Sequence, residues 1–257
     1  MKEIQIRKND AGQRLDRFVG KAVPLLPESL LQKYIRLKRI KRNGKGAKRD
    51  VRLVEGDVLQ LYINDEFFER PTEENAWLKI ATPRLDIVYE DENILLADKK
   101  PGVLCHSAGE WSWDTLISNI QAYLRQSGEW DPKAENAFTP ALCNRIDRNT
   151  GGIVIAAKNA EALRILNDKI RDREIDKAYL CVVCGRPKPA EGRLEGYLFK
   201  DAVKNQVYVT KKPQPGAKSA ATEYRTLQSS RGLSLVECRL LTGRTHQIRA
   251  QMAAAGC

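Results

Sequence analysis

At 257 residues with 42% apolar side chains, the chain is long enough to bury the core of one large or two modest domains. No apolar run approaches the roughly 20 residues a membrane helix needs, and Met1-Lys2-Glu3-Ile4 lacks the apolar stretch of a secretion signal, so a cytoplasmic protein without membrane association is expected. The net charge of +11 is concentrated, with 16 Lys or Arg against 7 Asp or Glu in residues 1–63, and a focused positive field of this kind favours polyanionic partners, nucleic acid ahead of an anionic membrane.

Leu15, Phe18 and Val19 recur at spacings of three and four, which predicts a helix over 13–23. After Pro24 and Pro27, Glu28 opens a second helix carrying Leu30, Leu31, Tyr34, Ile35 and Leu37. Asn43-Gly44 signals a tight turn, and Gly56-Asp57 precedes the strand-like Val58-Leu59-Gln60-Leu61. Ten basic residues and one acid lie between Lys33 and Arg52. Charge runs are commonly solvated faces, but this one places Lys33, Arg36, Lys38, Arg39, Lys41 and Arg42 on a helix and the loop that follows it, as phosphate-binding donors would be placed.

Residues 64–84 lack periodicity, carry Pro71 and Pro83 and five acids, and are expected to form a linker. From Leu85 onward strand-like runs dominate: Ile87-Val88-Tyr89, Ile94 to Lys99, Ile153 to Ala157, Ala178 to Cys184, Gln206 to Thr210 and Leu233 to Leu241. Two helices interrupt them, one capped by Asp114 and carrying Leu116, Ile117, Ile120 and Leu124, the other capped by Asn159 and carrying Leu163, Leu166 and Ile170. Without regular βαβ alternation, the expected class is α+β with a mainly antiparallel sheet. The six cysteines are scattered, and Cys181 and Cys184 stand three apart in a β-branched run, where they face opposite sides; they read as packed thiols, and no metal site is expected.

Asn144-Arg145-Ile146-Asp147-Arg148-Asn149-Thr150-Gly151-Gly152 sets one carboxylate between guanidinium groups, ahead of paired glycines and an apolar strand. Alone it would read as an exposed ion pair beside a hairpin. It is accompanied, however, by Leu241-Thr242-Gly243-Arg244-Thr245-His246-Gln247-Ile248-Arg249 and by Lys177-Ala178-Tyr179 at the head of a strand.

Taken together the three segments resemble the RluA-type RNA pseudouridine synthases, whose motifs run roughly H-R-L-D-x-x-T-S-G, K-x-Y and G-R-T-H-Q-I-R. This chain has Asn144, Ile146 and Gly151 where His, Leu and Ser are usual. The resemblance implies an enzyme that isomerises uridine to pseudouridine in RNA without any cofactor. It assigns Asp147 as the catalytic acid, Arg244 as its charge partner, Tyr179 as the ring that stacks on uracil, and Arg145 as the cation that enters the space of the flipped nucleotide. His246 and Gln247 it assigns to strand support, and His106, in a K-P-x-G-x-x-x-H-like loop, to organising the cleft edge.

Residues 1–63 resemble the alpha-L (S-four-like) RNA-binding module, through Arg14-Leu15-Asp16, the helix from Glu28, Ile40 to Gly44, and Gly56-Asp57-Val58. The implied order is an RNA-binding module at 1–63, a linker at 64–84 and a pseudouridine synthase catalytic domain at 85–257. Family members continue for several tens of residues past the G-R-T-H-Q-I-R strand, so a C-terminally incomplete catalytic domain is expected. The extra module is typical of members acting on the large ribosomal subunit, which makes ribosomal RNA the first substrate and transfer RNA the second; a monomer is favoured. The rival reading is a catalytically inactive RNA-binding or ribosome-assembly protein on the same scaffold.

Overall fold

A computed structural model describes residues 1–68, 76–107, 113–201 and 206–257. The chain divides into two compact units, Met1–Asn167 and Asp168–Cys257. The first holds two apolar cores. Strand β1 (Lys2–Gln5) is followed by helices α1 (Leu15–Ala22) and α2 (Glu28–Arg36), then by β2 (Ile40–Arg42), β3 (Lys45–Gly46) and β4 (Val58–Leu61). The four strands form an antiparallel sheet in the order β1-β4-β2-β3. Leu15, Phe18 and Val19 of α1 and Leu31, Tyr34 and Ile35 of α2 are buried with Ile40, Leu59 and Leu61, so the helical spacings seen in the sequence are those of the core-facing stripes. Asn43 (φ 51°) and Gly44 (φ 79°) both occupy left-handed backbone, the geometry of a two-residue hairpin turn between β2 and β3.

The middle of the expected linker, residues 69–75, lies outside the described residues. Its described ends are packed. Phe67 and Phe68 lie against the first core. Trp77 lies against the second and meets Trp130 edge to face, with ring centroids 5.5 Å apart.

The second core belongs to β5 (Ile87–Glu90), β6 (Ile94–Lys99), β7 (Ala141–Leu142) and β8 (Gly152–Ala157), again antiparallel in the order β5-β6-β8-β7, with α3 (Leu116–Gln126) against them. The α3 cap expected at Asp114 is Thr115 instead: its Oγ1 accepts from the Ser118 N–H at 3.3 Å, and Asp114 accepts the Asn119 amide at 2.7 Å. A hydroxyl one residue nearer the first turn reaches the free N–H that the carboxylate was expected to take. Helix α4 (Ala160–Arg171) has the expected cap, with the Ala162 N–H donating to Asn159 Oδ1 at 2.9 Å.

The second unit is a five-stranded antiparallel sheet, β11-β10-β12-β13-β9, from β9 (Ala178–Cys184), β10 (Glu191–Asp201), β11 (Gln206–Thr210), β12 (Lys218–Ser230) and β13 (Leu233–Leu240), with α5 (Gln247–Ala254) following. Val183, Tyr224, Val236, Cys238 and Met252 form its core. Among the described residues no helix is long and apolar enough to cross a membrane.

Candidate active site

Asp147 lies in the loop between β7 and β8, half-buried, and its own carbonyl accepts the Thr150 N–H at 3.1 Å to close a turn. Asn144 fastens the loop to β8: its Oδ1 accepts the Ile155 N–H at 2.8 Å and its Nδ2 donates to the Ile153 carbonyl at 3.3 Å. An amide in place of the usual imidazole thus both donates and accepts across the strand. Gly151 lies against the neighbouring loop so closely that a Cβ there would stand 3.2 Å from Pro101 Cδ, whereas Gly152 supplies left-handed backbone (φ 128°) with open space around it.

That neighbouring loop, residues 99–105, is joined to the Asp147 loop at several points. The Gly102 N–H donates to the Arg148 carbonyl at 2.8 Å, Arg148 Nε donates back to the Gly102 carbonyl at 3.1 Å, and Cys105 Sγ reaches the Ile146 carbonyl at 3.4 Å. Under them lies Lys99, 1% exposed, whose ammonium donates to the carbonyls of Lys100 (3.1 Å), Val103 (2.8 Å) and Arg148 (3.0 Å). Burial lowers its pKa, and the charges of Cys105 and Asp147 oppose that shift. A buried cation with three carbonyls therefore braces the residue next to Asp147. The sequence reading missed Lys99, although strand parity could have found it: Leu95, Ala97 and Lys99 alternate onto the buried face of β6. Arg145 in the same loop is exposed.

In the second unit, Tyr179 stands on β9 opposite Cys238 of β13, half-buried at the margin of that unit's core. Arg244 follows β13 in an exposed turn, its Nε donating to the Ser219 carbonyl at 3.0 Å. Ser219 lines a cavity of about 590 Å³ together with Arg173, Arg193, Lys211, Leu241 and Thr242.

The strand expected to contain His246 and Gln247 is a helix. His246 occupies left-handed backbone (φ 53°), which ends any extended run, and α5 begins at Gln247. Gln247, 2% exposed, is the hub of this corner: Oε1 accepts from Thr242 Oγ1 (2.8 Å) and the Arg244 N–H (3.0 Å), while Nε2 donates to the Ala221 carbonyl (3.0 Å) and Thr222 Oγ1 (2.8 Å). Thr222 in turn donates to Gln251 Oε1 at 2.6 Å, and Gln251 Nε2 donates to the Leu194 carbonyl at 2.9 Å. With its polar atoms satisfied, this buried network fixes the backbone that carries Arg244. Thr222 and Gln251 escaped the sequence reading; the spacing of Gln247 and Gln251, four residues apart, was the signal.

The basic residues of the first core are disposed unequally. Lys33, Arg36, Lys38 and Arg39 are exposed, Arg39 lying 5.2 Å from the Tyr34 ring centroid, and half-buried Lys41 lies 5.1 Å from that of Tyr62. Arg42 turns inward, 2.6 Å from the carboxylate of Asp57. Beside it a cavity of about 460 Å³ is lined by Lys45, Ala47, Lys48, Asp50 and Val51. Among the described residues no group of three or more His, Cys, Asp or Glu is placed to hold a metal.

The family model for RNA pseudouridylate synthase matches residues 93–254. An uncharacterized RNA pseudouridine synthase of Mycoplasma genitalium is 33% identical over 249 residues, covering 95% of this chain and 76% of the relative. The ribosomal large subunit pseudouridine synthase C of Escherichia coli K12 is 28% identical over 257 residues, 100% of this chain and 77% of its own. Among solved structures, human RNA Pseudouridylate Synthase Domain Containing 4 shares the fold at a TM-score of 0.53 and 20% identity, over 70% of this chain and 68% of that one. The chain belongs to the RluA-type RNA pseudouridylate synthase family, and is an isomerase that converts uridine to pseudouridine in RNA.

Proposed function

We propose that this enzyme modifies structured ribosomal RNA of the large subunit, with transfer RNA the second substrate class, and that it works in the cytoplasm as a monomer without a cofactor. The substrate reading is supported by the similarity, along the whole chain, to relatives named for the large ribosomal subunit. Residues 1–63 form the RNA-binding module in this reading, residues 64–84 the connection and residues 85–257 the catalytic domain. Lys33, Arg36, Lys38, Arg39 and Lys41 meet phosphates, with Arg42 supporting the hairpin from beneath.

In the proposed chemistry the nucleotide leaves its stack, the bond between uracil N1 and ribose C1′ breaks, the ring turns, and C5 joins C1′ while C5 gives up its proton and N1 gains one; no net oxidation occurs. Asp147 is the attacking carboxylate, Arg244 the guanidinium that keeps it charged, Tyr179 the ring that holds the detached uracil, and Arg145 the planar cation that fills the vacated place. The observation that carries the assignment of Asp147 is the bracing of its loop by Lys99, Gly102 and Asn144, because a nucleophile must be held in one geometry while the substrate is brought to it. Pseudouridine mapping of cellular RNA tests it: sites in large-subunit RNA should vanish without the protein, return with the wild-type chain and stay absent with Asp147→Ala. Return of the sites with Asp147→Ala would remove that residue from the chemistry.

A further inference from the structure

The basic module is fastened to the segment carrying Asp147 by side chains that no catalytic role requires. Asn136 Nδ2 donates to the Gln5 carbonyl at 2.9 Å and to Asp10 Oδ2 at 2.7 Å. Asn9 uses both ends of its amide, Nδ2 donating to Glu135 Oε1 at 2.7 Å and Oδ1 accepting the Ala160 N–H at 3.2 Å. Arg164 of α4 donates through Nη1 to the Ala11 carbonyl at 2.6 Å. Asp10 is fully buried, and Ala137 packs against the module's apolar core. These contacts join residues 126 to 153 positions apart.

Their placement along the chain is informative. Residues 135–137 precede β7 and residues 160–164 follow β8, so the attachment points bracket the β7–loop–β8 segment that holds Asp147. A flexible linker would leave a wide range of separations between the basic surface and that loop. Attachment on both sides permits one.

We infer that Asn9, Asn136 and Arg164 are specificity-determining residues, which hold the basic surface of residues 33–42 at one fixed displacement from the Asp147 loop and so select RNAs whose phosphates and target uridine match that displacement. This rests on the proposed RNA-binding role of residues 1–63. A rigid two-point gauge rejects RNAs of the wrong shape because their binding would require breaking several of these hydrogen bonds at once, most of them part-buried. A short RNA that reaches only the catalytic loop escapes the selection.

The test uses the full chain carrying Asn136→Ala and Arg164→Ala, with two probes: a large-subunit ribosomal RNA transcript, and a short hairpin cut from it around the same mapped uridine. Amide exchange at residues 5–12 should quicken while β6 and β8 keep their protection. On the transcript kcat/KM should fall at least tenfold, through KM, with kcat within twofold; on the hairpin both constants should stay within twofold. Arg164→Lys, which keeps a donor for the Ala11 carbonyl, should retain most of the transcript activity, and Arg164→Ala alone, which removes that donor, carries the same test if the double variant does not fold. Unchanged exchange at 5–12, unchanged transcript kinetics despite faster exchange, or equal losses on both RNAs each overturn the inference. A separate chain with Lys33, Arg36, Lys38 and Arg39 changed to Glu distinguishes the underlying reading: if its transcript KM does not rise, the module does not bind RNA, whatever the fastening residues do.

Discussion

Lys99 braces the loop proposed to carry the nucleophile without being part of the proposed chemistry. Its ammonium is the donor for three carbonyls, one of them on Arg148 beside Asp147. Lys99→Met keeps the length and apolar stem but orphans those carbonyls, each of which loses a charge-assisted bond; relief from burying the cation offsets part of this, leaving an expected net loss of about 2 kcal/mol. A urea unfolding series should show it as a lower midpoint, with kcat reduced at temperatures where the variant remains folded. Full stability with full turnover would mean that the loop needs no such brace. The cysteines provide a second residue-scale expectation. Burial pushes the Cys143 thiol up to about 11, whereas Cys184 is exposed, so a short alkylation at pH 8 should label Cys184 and spare Cys143 in the native chain, and label both in urea. The segments that hold Asp147, Arg244 and Tyr179, the proposed catalytic residues, stand out in the sequence as motifs, yet the buried residues packed beneath them do not: Lys99 and Gln251 are polar groups in core positions, and polarity in a sequence ordinarily signals solvent.

At the scale of elements, legibility followed the apolar pattern. Helices α1 and α2 declared themselves through buried Leu, Phe, Val and Ile at helical spacing, and β6 and β8 through apolar runs. Helix α5 did not, because two of its three buried residues are Gln247 and Gln251, whose burial is sustained by hydrogen bonds rather than by apolar area. Strand β12 was equally hidden: Ala220, Thr222 and Tyr224 alternate inward, but the first two are too small or too polar to mark a strand. The β2–β3 hairpin provides a pH test. Burial raises the Asp57 pKa, but the Val54 N–H, the Arg42 guanidinium and the Asn43 amide outweigh it, and the carboxyl lies below its ordinary value. With the folded pKa depressed, the unfolded chain takes up the proton first; the stabilisation is complete above the ordinary value of about 3.9 and is lost as pH falls through the folded pKa. Urea titrations followed at the Leu59 and Leu61 methyl resonances should therefore show wild-type stability falling more steeply below pH 5 than that of Asp57→Asn. Parallel acid profiles would show that Asp57 carries no linked proton.

Over the whole molecule, charge is the property with the farthest reach, because it acts on RNA before any contact forms. Residues 1–63 carry a surplus of nine positive charges and the remaining 194 residues hold 28 Lys or Arg against 26 Asp or Glu. Lys33, Arg36, Lys38 and Arg39 are exposed, and Arg42 is paired with Asp57, so the cations available to phosphate are fewer than the sequence count suggests. Each phosphate neutralised releases condensed counterions and contributes about 0.7 to 0.9 to the slope of log affinity against log salt. Changing those four exposed cations to Gln should thus lower the slope by about 3, with affinity for a large-subunit transcript falling most at low salt and converging on the wild-type value as salt rises. Arg42→Gln should act differently: it leaves a buried carboxylate without its cation, so it should lower the module's stability more than it lowers the salt slope. An Arg42→Gln slope change equal to that of an exposed lysine, with stability intact, would show that its guanidinium leaves Asp57 to meet RNA.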